Sequence, residues 1–140
     1  MAPHADAPEP KLPPLAIALA VLLFIEAAGA IALVVWLAFE LVTAGSQSYA
    51  SGVALLVLAV LAAVWIGFTA VSTLRLKSWV RASAVTWQVL QIAVAIGSFQ
   101  GLYARPDLGW ALLVPALLGI GLALSPSVVR ATTRNKSEHD

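Results

Sequence analysis

Residues 12–42 read LPPLAIALAVLLFIEAAGAIALVVWLAFELV. An apolar run of this length is sufficient for a helix to cross a bilayer, because the hydrocarbon core requires about 20 residues. One carboxylate, Glu26, interrupts the run near its middle. Since an ionisable group at bilayer depth is energetically expensive, Glu26 is a candidate functional residue of a membrane protein.

The composition of the whole chain is that of an integral membrane protein. Of its 140 residues, 61% are hydrophobic and only 11% are charged, and the mean hydropathy is +0.93. Such a chain has too little polar surface to cover a water-soluble globule. We therefore predict that its principal partner is the lipid bilayer, and nothing in the sequence indicates nucleic-acid binding.

Two residue types that carry much protein chemistry are absent from the predicted membrane part. The chain has no Cys, and its two histidines, His4 and His139, lie in polar tails. We therefore predict no metal site and no cofactor within the membrane. Hydroxyl residues such as Ser72, Thr86 and Ser98 have no evident base beside them, so we also predict that the protein is not an enzyme.

The pattern of apolar segments predicts an all-α integral membrane fold, with four transmembrane helices in an up-down bundle. The predicted spans are residues 15–41, 52–74, 79–99 and 108–124, within a transmembrane domain of residues 12–125. Residues 1–11 are predicted to be a disordered cytoplasmic tail and residues 126–140 a polar cytoplasmic tail. The short turn at residues 75–78 should make the second and third spans antiparallel neighbours.

The small residues Ala28, Gly29 and Ala30 resemble a signal-peptide cleavage site. However, no Lys or Arg lies in residues 1–10, and the apolar run is longer than the core of a signal peptide. We therefore expect the first helix to be retained as a membrane span.

The distribution of cations predicts the orientation of the bundle. Arg105 is the one Lys or Arg on its side, and the other seven share the opposite side: Lys11, Arg75, Lys77, Arg81, Arg130, Arg134 and Lys136. The positive-inside rule places the richer side in the cytoplasm. We therefore predict a multi-pass protein of the plasma membrane with both termini cytoplasmic. Arg75, Lys77 and Arg81 then form a basic cytoplasmic rim that attracts anionic lipids.

Helical geometry predicts an intramembrane polar site. At about 100° per residue, one stripe of the third span contains only polar or small residues, namely Arg81, Ala84, Gln88, Gln91, Ala95 and Ser98. A lipid-facing helix has no use for two glutamines, so this stripe should face the bundle interior. Glu26 lies at a similar depth to Gln91, which makes a contact with Gln91 or Gln88 feasible. Gly29 and Ala30, on the same face as Glu26, should let another helix approach closely.

Two tryptophans, Trp65 and Trp87, lie too deep in their spans for the interfacial aromatic belt. They either pack on one another as ordinary core residues or form the wall of a pocket. In the fourth span, Pro115 removes a backbone hydrogen bond, and Gly119 and Gly121 make the helix thin. These features are common in membrane helices in general and also occur at transport sites.

The strings Lys77-Ser78-Trp79-Val80-Arg81, Trp87-Gln88 with Gln91, Gln100-Gly101 and Leu124-Ser125-Pro126 are distributed over most of the membrane part. They resemble small four-span integral membrane proteins of actinobacteria whose function is unassigned. The resemblance implies the same topology.

Glu26 is followed by Gly29 one helical turn later. This arrangement is similar to the first helix of small multidrug resistance transporters, in which a glutamate binds protons and cationic drugs. Many of those transporters pair in opposite orientations, which requires a weak charge bias. The strong bias of this chain instead favours one fixed orientation.

Two interpretations of Glu26 therefore stay open. In the first, which is the leading one, a protonated Glu26 bonds to a glutamine and holds helices together. This favours a small non-enzymatic accessory or scaffold subunit, whose helices pack through Glu26 and the Gln88/Gln91 stripe and which joins a larger membrane-protein partner or a homo-oligomer. In the second, Glu26 exchanges a proton or holds a cationic substrate, as in a proton-coupled small-molecule transporter.

Overall fold

The computed structural model describes residues 12–44, 48–102 and 104–139. Within these ranges the chain forms five helices and no strand: α1 Pro14–Thr43, α2 Tyr49–Leu74, α3 Val80–Ser98, α4 Pro106–Ala123 and α5 Pro126–His139. The first four are long and apolar enough to cross a membrane. The predicted all-α bundle of four membrane-spanning helices is confirmed, and the observed ends of the spans differ from the predicted ones by at most three residues, at the start of α2.

The four spans form two helical hairpins. α1 packs mainly against α2, and α3 packs mainly against α4, while the hairpins meet through smaller α1–α4 and α2–α3 contacts. Within the described chain, the backbones of α1 and α3 make no close approach. These two helices therefore lie diagonally across the bundle, and only long side chains can join them.

Local sequence explains where several helices begin and end. Pro14 and Pro106 lie in the first turns of α1 and α4, where the missing N–H is not needed. After α2, Leu76 adopts a φ of 51°, and its N–H and that of Lys77 donate to the carbonyls of Thr73 and Ser72 at 3.1 and 3.4 Å. A residue with positive φ that ends a helix in this way is usually glycine. Here the Leu76 side chain packs against the core.

The tightly packed core lies at one end of the bundle, which we call the terminal end because α1 begins there and α4 ends there. Its buried residues are Ala16, Leu19, Leu23, Ala27, Ile66, Ala70, Ala84, Ala123 and Val128. The opposite end, where the α1–α2 and α3–α4 connections lie, is the loop end. The core therefore fills only one half of the bundle.

The helix α5 was not predicted, because residues 126–140 were expected only to form a polar tail. Pro126 fits the first turn of a helix, and Val128 and Thr132, one turn apart, are only 1% and 3% exposed. This narrow face packs against the terminal end through α1, α3 and α4. The predicted disorder of residues 1–11 lies outside the described residues.

Most of the apolar surface of the spans faces outward. In the most apolar 18-residue stretch of each span, only 22–28% of the residues are buried inside the structure. Large side chains such as Ile25, Val35 and Phe39 are about two-thirds exposed. A surface of this kind requires a bilayer to cover it, so the protein is a multi-pass membrane protein.

Candidate functional site

Glu26 is partly buried in the bundle and is bonded to α3. Its Oε2 accepts hydrogen bonds from Trp87 Nε1 at 3.2 Å and from Gln88 Nε2 at 3.1 Å. Because α1 and α3 are diagonal neighbours, these two bonds cross the centre of the bundle. Glu26 is about 18 Å along α1 from Pro14 at 1.5 Å per residue, which places the carboxyl group deep in the apolar part of the span.

The pair Trp87 and Gln88 contacts all three other spans. The Trp87 ring packs edge-on against Trp65 of α2, with centroids 5.9 Å apart and an interplanar angle of 83°. The Gln88 side chain, 0% exposed, lies on Gly119 of α4, where an added Cβ would be 2.5 Å from Gln88 Cδ. Together with the bonds to Glu26, these contacts determine how α3 sits against α1, α2 and α4.

The Trp65 side chain is itself fixed by two hydroxyl groups. Trp65 Nε1 donates to Ser83 Oγ at 2.8 Å, Ser83 Oγ lies 2.9 Å from Thr69 Oγ1, and Thr69 Oγ1 donates to the Trp65 carbonyl at 2.9 Å. This closed set of bonds joins α2 to α3. Sequence reasoning placed Thr69 near Trp65 but missed Ser83. Thr69 lies six residues before Arg75 and Ser83 six residues after Lys77, a symmetry about the turn that could have paired them.

Gln91 hydrogen-bonds to the backbone of α4. Its Nε2 donates to the Leu112 carbonyl at 3.1 Å. Leu112 is next to Ala111, whose carbonyl lacks its usual helical donor because Pro115 has no N–H. The two glutamines of the predicted stripe therefore have different partners, Gln88 on α1 and Gln91 on α4. Both are buried, as are Ala84 and Ala95, so the stripe faces inward as predicted.

A cavity of about 570 Å³ lies between Glu26 and the loop end. Glu26, Gly29 and Leu33 of α1 line it together with Ala59 and Ala62 of α2, Trp87, Gln91 and Val94 of α3, and Pro115 of α4. Its walls are mainly apolar. The expectation that Gly29 lets a helix approach closely is wrong, because no atom lies within 4 Å of the place where its Cβ would be. The small residues at this level instead leave space.

Three buried oxygens around this site have no hydrogen-bond partner among the described residues. They are Glu26 Oε1, Gln88 Oε1 and Gln91 Oε1. An unpaired polar atom in an apolar interior costs free energy. The carboxyl group is therefore only half satisfied by the protein, and its second oxygen belongs to a residue that lines the cavity.

The remaining predicted residues lie away from this site. Arg75 and Lys77 are exposed at the terminal end, and Arg81 is partly buried in the first turn of α3. At the loop end, Arg105 forms an ion pair with Asp107 at 2.9 Å. In the part of the chain that the structure describes, no group of three or more acidic and histidine residues could hold a metal ion.

Comparison of the chain with protein-family models, with curated proteins and with solved structures gives no match. The function is therefore argued from the site alone.

A substitution at Gly119 tests the position of Gln88. Gly119→Ala places a methyl group where the Gln88 amide lies, so Gln88 must move and its bond to Glu26 must lengthen or break. We expect the free energy of unfolding to fall by about 1–3 kcal/mol, the usual cost of overpacking. Denaturation of the purified protein in mixed micelles measures this.

Gly121→Ala is the matched control, since no atom lies within 4 Å of that position. We expect it to leave stability within about 0.5 kcal/mol of the wild type. Equal stability of the two variants would contradict the placement of Gln88 on Gly119.

Proposed function

We propose that this membrane protein binds a small organic cation in the cavity beside Glu26 and exchanges it for a proton, as a proton-coupled transporter of small molecules. The observation that carries the proposal is Glu26 Oε1, a buried oxygen without a partner on a residue that lines an apolar cavity of about 570 Å³. Cavities of this size are typical of sites for small organic molecules.

The two oxygens of Glu26 have separate tasks in this mechanism. Oε2 is held by Trp87 and Gln88, which fixes the position of the carboxyl group. Oε1 takes either a proton or a cation. A charged carboxylate at bilayer depth is costly unless one of the two accompanies it, so binding of the cation displaces the proton and binding of a proton releases the cation.

No other ionisable residue lines the described cavity. The nearest candidates along the neighbouring elements are Glu40 of α1 and Asp107 of α4, both exposed at the loop end, and Arg81 of α3 at the terminal end, while α2 carries only Tyr49. Glu26 is therefore the group whose protonation should control binding. Since the proton competes with the cation, we expect affinity to weaken as the pH falls.

Proton release on binding tests the proposal. When 4-phenylbutylammonium is added to purified protein in weakly buffered micelles, we expect up to one proton to be released per cation bound. A pH indicator measures the released protons. Calorimetry in buffers of different protonation enthalpy measures the protons released and the cations bound in the same experiment. Glu26→Gln should abolish the release and weaken binding by at least about tenfold, the loss of one charged contact.

The same variant provides its own control for folding. The amide oxygen of Glu26→Gln can still accept the bonds from Trp87 and Gln88, so its stability should match the wild type. Glu26→Leu cannot accept them and should lose about 0.6–2 kcal/mol. Cation binding by Glu26→Gln that equals the wild type would overturn the proposal.

The accessory-subunit hypothesis is the second candidate, and one observation favours it. Glu26 is bonded to Trp87 and Gln88 of its own chain, which is the packing role that this hypothesis requires. The exposed apolar faces of the spans would then contact a larger membrane protein or a second copy. This hypothesis accounts for Oε2, but it leaves both Oε1 and the cavity without a role.

For the orientation, we propose that the terminal end faces the cytoplasm in the plasma membrane. The exposed Lys77 and the partly buried Arg81 lie at this end, where cations are favoured by anionic lipids. Topology reporters fused after Lys77 and at the C-terminal end should therefore be cytoplasmic, and one fused after Ser48 should be on the other side. A cytoplasmic signal from the reporter after Ser48 and an external signal from the reporter after Lys77 would contradict this orientation.

A further inference from the structure

Two of the residues that line the cavity each have a hydrogen-bond acceptor without a partner. Glu26 and Gln91 both line the cavity, and the Oε1 atom of each is buried and has no partner. Gln91 is itself only 9% exposed. A third unpaired acceptor, Gln88 Oε1, is buried next to them. The site therefore contains several acceptors that a ligand could satisfy.

Each side-chain nitrogen of the site already donates one hydrogen bond, and each of the two amide nitrogens keeps a second N–H. Trp87 Nε1 and Gln88 Nε2 donate to Glu26 Oε2, and Gln91 Nε2 donates to the Leu112 carbonyl. The Leu112 carbonyl can only accept, so turning the Gln91 amide over would place two acceptors against each other. The same argument holds for Gln88 against the carboxylate. The orientation of both amides is thus determined by their partners, and their oxygens stay unpaired.

We infer that the ligand of this site is an amine cation that carries N–H groups on a hydrocarbon body, and that the site discriminates against quaternary ammonium ions. The inference rests on the proposed function. A primary ammonium group has three donors, one for Glu26 Oε1 and another for Gln91 Oε1, whereas a quaternary ammonium has none. A quaternary ion would neutralise the charge of Glu26 but leave the oxygens unpaired.

The apolar residues that line the cavity indicate the chemistry of the rest of the ligand. Leu33, Leu90, Val94 and Leu112 line the cavity, and their side chains form no hydrogen bonds. An aliphatic or aryl-alkyl body satisfies them by burying apolar area. A compact, strongly hydrated cation without such a body would gain little from this cavity.

The experiment compares ligands that differ only in their nitrogen substituents: 4-phenylbutylammonium, its N-methyl and N,N-dimethyl derivatives, and the N,N,N-trimethyl ion. All four are cations near pH 7, since alkylammonium groups of the lysine type lose their proton only near 10. We expect affinity to decrease in that order, with the primary amine at least about tenfold tighter than the quaternary ion. Calorimetry on the wild type in micelles measures the series.

Gln91→Leu removes one acceptor and leaves Glu26 in place, so it should weaken the primary amine while changing the quaternary ion little. Because the series is measured on the wild type, the inference stays testable if this variant does not fold. If all four cations bind equally and lose affinity in Glu26→Gln, the inference is wrong while the proposed function stands. If none binds, or if binding is unchanged in Glu26→Gln, the proposed function itself fails.

Discussion

The two hydrogen bonds that Glu26 Oε2 accepts from Trp87 and Gln88 are the constraint on which the rest of the bundle depends. They join α1 to α3, which lie diagonally opposite. They can therefore form only when α2 and α4, which pack between these two helices, are in their correct positions. Trp87 reaches Trp65 on α2, and Gln88 reaches Gly119 on α4. A single partly buried glutamate thus relates all four spans in a molecule whose apolar side chains mostly face outward. In a bilayer, apolar contacts between helices have little advantage over contacts with lipid, so specific polar contacts of this kind are what determine the arrangement.

The two ends of the bundle are built differently, and this difference creates the site. At the terminal end, Leu19, Leu23 and Ile66 are fully buried, and α5 adds Val128 to the same core. Towards the loop end, Gly29, Ala59 and Ala62 occupy positions where larger residues would fill the interior. Glu26 lies at the boundary between the two regions. One of its oxygens is bonded to α3, and the other is buried without a partner on a residue that lines the cavity. We propose that this single residue serves both packing and ligand binding.

Much of the fold followed from the sequence, because an apolar segment of about 20 residues crosses a bilayer as a helix, in which all backbone hydrogen bonds are internal. The inward stripe of α3 was predictable for the same reason, since Gln88 and Gln91 cannot face lipid. Which partner each glutamine takes was not predictable, because it depends on Gly119 and on the Leu112 carbonyl beside Pro115, both on another helix. Gly29 shows the limit of local rules: a small residue permits close packing or leaves space, and only the positions of the neighbouring helices decide between them. The helix α5 was missed because the buried residues of its described part are only Val128 and Thr132, and the segment is otherwise mostly polar.

We propose that Glu26 Oε1 carries a proton when the cavity is empty and that Glu26 exchanges this proton for an amine cation. Infrared difference spectroscopy of the protein in lipid, recorded at constant pH before and after addition of 4-phenylbutylammonium, tests this most directly. We predict that the carbonyl band of a protonated carboxyl group disappears, that a carboxylate band replaces it, and that neither change occurs in Glu26→Gln. A spectrum in which Glu26 has the same protonation state with and without the amine would contradict the claim.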